Sequence, residues 1–210
     1  PEHVTSSVQM GQTMKSFLIY LNVVHLIPYH RLTTVMKDLF QVQICKRSIE
    51  NALEEATQKG QSLYQDIMRI VKNGTWVGSD ETGKRVEGKR WWEWVWQHEK
   101  ASYYAIEKGR GYAVVKKHFG EDYGGVLIHD CWSAHNNTVA KAGHQQCLAH
   151  IQRDLTFLVE AHKSRWAYDL SHFLRSAQKA RTHIWSEGFD YEIRQKIIQD
   201  YQEKFLLFLV

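Results

Sequence analysis

The sequence has little proline, little cysteine and no long hydrophobic run, and each shortage excludes a class of protein. Two prolines in 210 residues permit long helices along nearly the whole chain. Three cysteines are too few for a disulfide scaffold and favour a reducing, cytoplasmic location. No apolar run approaches the roughly 20 residues of a membrane span, and no signal peptide opens the chain, so we expect no membrane partner.

The composition is that of an ordinary globular protein. Hydrophobic residues make up 43% of the chain and charged residues 24%, which excludes a disordered polymer. The net charge of +4 permits nucleic acid as a partner without requiring it. The chain does not begin with Met, and we expect it to be a piece of a longer protein.

Apolar residues recur at helical spacing at both ends of the chain. Four such stretches follow one another from Val8 to Val71, and Pro28 ends the first of them. The same spacing returns from Ile151 onward, and the closing FLLFLV is interpreted as the end of a buried helix. We therefore predict a helical N-terminal region over 1–74 and a helical segment over 151–210.

The middle of the chain, 75–150, changes to strand patterns. Three strand-like stretches come first, with Glu87-Gly88 as a hairpin turn between the first two; then come a helix over 110–120, an almost wholly apolar strand over 124–130, and a short strand near 144–149. The order β-β-β-α-β-α-β predicts an α/β fold with a mixed sheet flanked by helices. In such a sheet the first and fourth strands are neighbours.

Each of those two strands ends in an aspartate, Asp80 in WVGSDETG and Asp130 in VLIHDCW. A carboxylate beside a sheet needs a positive partner, and no run of Arg or Lys adjoins either one. Mg²⁺ prefers oxygen ligands and is commonly held by one or two carboxylates, so a shared divalent ion is the simplest partner. The alternative makes each aspartate a turn or helix-capping residue.

Longer segments of the sequence resemble the transposases of the IS66 insertion-sequence family. The resemblance rests on residues 79–96 with DETG, on 109–136 with the strand-ending Asp130, and on QCLAHIQRDL at 146–155; LIPYHR and ICKRSIENAL extend it toward the N-terminus. It implies an RNase H-like fold and DDE-type DNA strand transfer with two Mg²⁺ or Mn²⁺ ions, in a bacterial cytoplasm. Asp80 matches the first acid and Asp130 the second.

The family's third acid lies in an Asn-Asn-x-x-Glu segment, which the 210 residues do not contain. Glu160, Glu187 and Glu203 lack the matching neighbours. We therefore expect an incomplete metal site, no activity of this chain alone, and 151–210 as a helical insertion before the end of the core. A non-catalytic DNA-binding or regulatory module and a metal-dependent nuclease remain alternatives. The resemblance implies DNA as partner, both transposon ends and target, and leaves open a homo-oligomer and accessory proteins of the element.

Several residues near the aspartates have two interpretations. Cys147-x-x-His150, with Cys131 and His144 near in sequence, is compatible with zinc, but no second Cys/His pair follows. The resemblance instead makes it a signature near the active site, with His150, a predicted catalytic residue, facing phosphate or the acids. Arg153 and Asp154 form either an orienting pair or a solvated helical face. Glu81 points away from Asp80 and is interpreted as a structural partner of Lys84 or Arg85.

Basic and aromatic residues provide candidate DNA contacts. Two basic residues begin a helix in a helix–turn–helix-like pattern, and others follow the aspartates; the predicted DNA-binding set is Lys46, Arg47, Arg153, Lys163, Arg165, Arg175, Lys179 and Arg181. Helical hairpins with basic caps are common without DNA. Trp92, Trp94 and Trp96 share one strand face and are interpreted as core rather than as base-stacking platforms, with Trp91 more exposed.

Overall fold

The computed structural model describes residues 10–209, and the chain divides into two compact units, residues 1–69 and 70–210. Val8, where the first predicted helix begins, lies outside the described residues. Within residues 10–209, no helix has both the length and the apolar character needed to cross a bilayer.

The first unit is helical, as predicted. It contains α1 (Gln12–Val23), α2 (Tyr29–Phe40), α3 (Lys46–Lys59) and most of α4 (Gln61–Lys72). The apolar stripes of the first three helices meet in a small core in which Leu18, Leu32, Met36 and Ile49 are fully buried. A salt bridge of 2.6 Å between Lys15 of α1 and Glu55 of α3 supplements this packing.

The second unit is built on a five-stranded sheet. Its strands are β1 (Trp76–Val86), β2 (Lys89–His98), β3 (Ala101–Glu107), β5 (Val126–His129) and β7 (His144–Gln146), in the order β3-β2-β1-β5-β7. The first three strands are antiparallel, whereas β5 and β7 run parallel to β1. This arrangement confirms the predicted α/β class, an RNase H-like mixed sheet with helices before and after it.

The β1–β2 connection is the predicted hairpin. Glu87 and Gly88 both have positive φ, +51° and +75°, as a two-residue type I′ turn requires. The turn pairs Val86 with Lys89, so β1 continues six residues beyond Asp80, and the expectation that the first strand ends at Asp80 is wrong.

One face of the sheet forms the core of this unit. Val77, Trp94, Trp96 and Leu127 are fully buried on it, and the Trp94 and Trp96 rings stack at 5.6 Å. Helix α5 (Tyr112–His118) covers this face and stacks Phe119, its C-terminal neighbour, on Trp96. The two central tryptophans are therefore core, as the alternation predicts, whereas Trp91 and Trp92 are half-buried.

The remaining elements connect or follow the sheet. The α-helix predicted between the fourth and fifth strands is wrong: that segment contains a 3₁₀ turn at Ser133–His135 and β6 (Val139–Ala140), which pairs with β4 (Asp122–Tyr123). Helices α6 (Leu148–His162), α7 (Arg165–Ser186) and α8 (Tyr191–Leu206) complete the described chain. Helix α8 has no fully buried residue, and Leu206, Leu207 and Leu209 are exposed, so the interpretation of FLLFLV as the end of a buried helix is wrong.

Candidate metal centre

The strand register brings Asp80 and Asp130 to the same level of the sheet. Strands β1 and β5 are parallel neighbours with Gly78 opposite Ile128, and each aspartate lies two residues further along its strand direction. Because side chains alternate between the faces of a strand, Asp80 shares a face with Gly78, as Asp130 does with Ile128. The two acids are therefore neighbours at adjoining strand positions.

A histidine joins them from the next element. Strand β7 is parallel to β5, and the Cys147 amide that follows it donates a hydrogen bond of 2.7 Å to the His129 carbonyl. Helix α6 begins at the next residue and carries His150 in its first turn. One potential ligand atom each from Asp80, Asp130 and His150 lie within 4.8 Å of one another.

The two carboxylates have little other use in the fold. Oδ1 of Asp80 accepts a hydrogen bond from the Glu81 amide at 2.9 Å, and Oδ1 of Asp130 accepts one from the Trp132 amide at 3.0 Å. Among the described residues, neither Oδ2 atom has a hydrogen-bond donor. Asp80 is exposed and Asp130 is half-buried. Neither carboxylate is therefore enclosed beside the sheet, which differs from what the strand pattern suggests. The hydrogen bond from the Trp132 amide to Asp130 is the turn contact that the capping alternative predicts, and it leaves Oδ2 of Asp130 available.

The tautomer of His150 follows from its neighbour Arg153. The Arg153 Nη2 lies 3.3 Å from His150 Nε2, and because a guanidinium only donates, Nε2 accepts. Neutral His150 then carries its proton on Nδ1, a buried atom without a hydrogen-bond partner among residues 10–209. Arg153 therefore contacts His150 rather than Asp154, while Asp154, Asp130 and His150 line one pocket of about 360 Å³.

The fully buried carboxylate is Glu81. Its Oε1 accepts a hydrogen bond of 2.6 Å from Arg110 Nε, and its Oε2 lies 3.8 Å from Nε2 of the buried His135. The partners suggested by sequence are wrong, because Lys84 pairs with Glu93 at 2.6 Å and Arg85 donates to the Gly88 carbonyl. Sequence reasoning missed Arg110, which is 29 residues away from Glu81 and gives no local signal.

The cysteines do not add to this group. Cys131 is exposed and Cys147 half-buried, both with free thiols. Among the described residues, neither belongs to a group of three potential metal ligands; the partners of His150 are the two aspartates. Carboxylate oxygens are the donors preferred by Mg²⁺ and Mn²⁺.

The predicted DNA-binding residues differ in whether an acidic side chain already pairs with their positive charge. Arg47 pairs with Glu50 at 2.8 Å on its own helix, and Arg165 pairs with Asp169 at 2.9 Å. The other members are exposed and have no acidic partner within the described part of the chain: Lys46, Arg153, Lys163, Arg175, Lys179 and Arg181. Arg181 lines a cavity of about 970 Å³ together with Trp76, Val126 and Ile128.

The chain was also compared with known proteins. A search of curated proteins found no match. A family model described as "Transposase IS66 family" matches residues 7–207, nearly the whole sequence. That match covers both aspartates, the histidine and the flanking helices, and the chain therefore belongs to the IS66 family of transposases.

Proposed function

We propose that the chain carries the metal-binding centre of a DDE-type transposase, which cleaves and joins DNA phosphodiesters in the bacterial cytoplasm. The observation that supports this most strongly is the convergence of Asp80, Asp130 and His150 within 4.8 Å. Membership of a transposase family makes DNA the substrate.

The residues fit Mg²⁺ or Mn²⁺. Two oxygens on opposite sides of one Mg²⁺ are about 4 Å apart, because each bond is about 2.0–2.1 Å long. The Asp80 and Asp130 oxygens lie close enough to reach that spacing with small side-chain rotations. Once bound, the metal supplies a Lewis acid for the phosphoryl oxygens and lowers the pKa of a water molecule.

The roles of the protein residues follow from their surroundings. Asp80 and Asp130 hold the metal, because each has a carboxylate oxygen that the described fold does not use. His150 serves as a hydrogen-bond donor through its buried Nδ1 toward one of the two acids, since Arg153 occupies Nε2. Arg153 remains exposed and adds positive charge for the DNA backbone.

The metal assignment is tested by measuring Mn²⁺ binding to the chain by titration calorimetry. We expect weak binding to the unaltered protein and a loss of at least about tenfold in affinity in both Asp80→Asn and Asp130→Asn, because one charged ligand is removed in each. Asp122→Asn is the matched control, because Asp122 is an exposed aspartate on β4, outside this group. Unchanged Mn²⁺ affinity in both site variants would refute the assignment.

A second assay distinguishes this proposal from a metal-dependent nuclease with the same two acids. The 210 residues contain no Asn-Asn-x-x-Glu segment, so we expect the chain to bind Mn²⁺ without nicking supercoiled plasmid. Nicking that Asp80→Asn abolishes would favour the nuclease. DNA binding with no dependence on Mn²⁺ or on either aspartate would favour a non-catalytic module.

A further inference from the structure

Three cation–π contacts run from Trp132, in the turn after Asp130, to strand β2. The Arg110 guanidinium carbon lies 4.0 Å from the Trp132 ring centroid and 4.7 Å from that of Trp92, and Arg90 lies 4.7 Å from Trp92. We name these four residues, Trp132, Arg110, Trp92 and Arg90, the aromatic–basic strip. Arg110 thereby links Trp132 to β2.

Trp132 is the member of the strip nearest the metal centre. Its amide donates to Oδ1 of Asp130 at 3.0 Å, and its indole Nε1 donates to the Arg110 carbonyl at 2.9 Å. Arg110 is itself anchored by the buried Glu81 at 2.6 Å. Trp132 is therefore held by hydrogen bonds at its backbone amide and its indole Nε1, and by the Arg110 guanidinium on the face of its ring.

Although its ring is anchored in this way, Trp132 as a residue is 39% exposed. Trp132 also lines the 360 Å³ pocket that contains Asp130 and His150. Trp94 and Trp96 show that the same region of the chain buries indoles completely where they serve the core. An aromatic ring held in solvent beside a proposed phosphate site offers a surface on which a ligand can stack.

We infer that Trp132 stacks on an unpaired base of the DNA strand whose phosphate lies at Asp80 and Asp130. The inference rests on the proposed function. A base inside a duplex is already stacked on its neighbours, so the ring selects an unpaired nucleotide.

The test uses two labelled DNA duplexes in the presence of Mn²⁺. One has a four-nucleotide unpaired thymidine 3′ overhang, and the other has an overhang of four abasic residues, which keeps the phosphates but removes the bases. We expect Trp132→Ala to weaken binding of the thymidine duplex by about 5- to 150-fold, the range for loss of one stacked base, and to leave binding of the abasic duplex unchanged. Trp132→Phe should restore most of the loss.

Trp185→Ala is the matched control. Trp185 is also exposed, at 55%, and also lies under an arginine, Arg194 at 4.8 Å, but it lies on α7 and does not line the pocket of Asp130. We expect this variant to bind both duplexes like the unaltered chain.

Mn²⁺ affinity of the same variants separates this inference from the proposed function. If Trp132→Ala weakens both duplexes equally, leaves both unchanged, or lowers Mn²⁺ affinity together with DNA affinity, the stacking role is refuted. Failure of the proposed function has a different readout, namely Mn²⁺ binding that Asp80→Asn and Asp130→Asn do not alter.

Discussion

Three acids, two within β1 and one directly after β5, differ in burial, and that difference separates their roles. The Glu81 side chain is fully buried and has Arg110 as its cation at 2.6 Å. Asp80 is exposed and Asp130 half-buried, and neither has a basic side chain in ion-pair contact among residues 10–209. A buried carboxylate must be neutralised within the fold, whereas an exposed one can take a cation from solution. Glu81 therefore belongs to the structure, and the two aspartates are available to metal.

The Glu81–Arg110 pair leads to a prediction on stability. Arg110→Met should destabilise the second unit by about 3 kcal/mol, because it leaves a buried carboxylate unpaired. The double variant Glu81→Leu with Arg110→Met should be more stable than Arg110→Met alone. Urea unfolding followed by tryptophan fluorescence measures this unit alone, because all eight tryptophans lie after residue 69.

Lys84→Met is the control for that prediction. Lys84 pairs with Glu93 at 2.6 Å, but its side chain is 47% exposed, so its removal should cost less than about 1 kcal/mol. Equal losses in Lys84→Met and Arg110→Met would contradict the importance given to burial.

For single residues, the sequence predicts the strand face on which a side chain lies better than it predicts the residue with which that side chain pairs. Strand alternation is sufficient to place Glu81 on the other face of β1 from Asp80, and the fully buried Glu81 side chain agrees with that placement. The choice of Lys84 or Arg85 as its partner is wrong because local sequence shows only near neighbours. Arg110 follows β3, and it reaches Glu81 because β2 pairs with β1 and β3 pairs with β2 in the folded sheet.

Elements with a clear hydrophobic period are those that the sequence predicts. The four N-terminal helices, the hairpin and the neighbouring positions of β1 and β5 follow from apolar spacing, from the Glu87-Gly88 turn and from the order of elements. Strands β4 and β6 have two residues each, which is too few to show a hydrophobic period. They are recognised only from their hydrogen bonds to each other in the structure. The apolar end of α8 predicts a buried helix, but the residues there are exposed. An apolar sequence does not reveal whether another element covers it.

Glu55 connects two helices of the first unit and makes their stability depend on pH. It accepts hydrogen bonds from Lys15 of α1 at 2.6 Å and Lys59 of α3 at 2.5 Å, and these two lysines, Lys15 first, lower its pKa from 4.5 to about 2. A carboxyl whose pKa is lower in the folded state stabilises that state above the unfolded pKa. The stabilisation is lost as the pH falls from about 4.5 through about 2.

Glu55→Gln should therefore lower the stability of the first unit at pH 7, and its difference from the unaltered chain should vanish near pH 2. Amide hydrogen-exchange protection in α1 and α3, compared between pH 7 and pH 3, measures the effect. Glu54→Gln is the control, because Glu54 lies 3.6 Å from Arg47 and both side chains are more than half exposed. A deficit of the same size at both pH values would contradict the ionic origin of the effect.

For the whole molecule, the division into two units leaves the proposed metal centre within one of them. Asp80, Asp130 and His150 all fall in residues 70–210, so the centre does not depend on where the first unit lies. The family match extends over both units, from residue 7 to residue 207. The second unit also contains the long helix α7, whose exposed basic residues lie outside the metal centre.

The small net charge of +4 makes the placement of basic residues more important than their number. Arg175 and Lys179 line one shallow groove along α7 with His183, and neither has an acidic partner among the described residues. Arg165, on the same helix, is paired with Asp169 at 2.9 Å. Arg175 and Lys179, unlike Arg165, are therefore expected to release counterions fully on binding DNA.

We predict that Arg175→Ala with Lys179→Ala reduces the slope of log affinity against log salt concentration by about 2 for duplex DNA, because two phosphate contacts are lost. Arg165→Ala should change the slope less, since Asp169 already offsets its charge. The measurement is fluorescence anisotropy of one labelled duplex from about 50 to 200 mM salt, a range in which contacts of this kind dominate affinity. Because every variant keeps Asp80 and Asp130, Mn²⁺ affinity should be the same in all of them. A slope that the double variant leaves unchanged would show that DNA does not follow α7, whatever its relation to the metal centre.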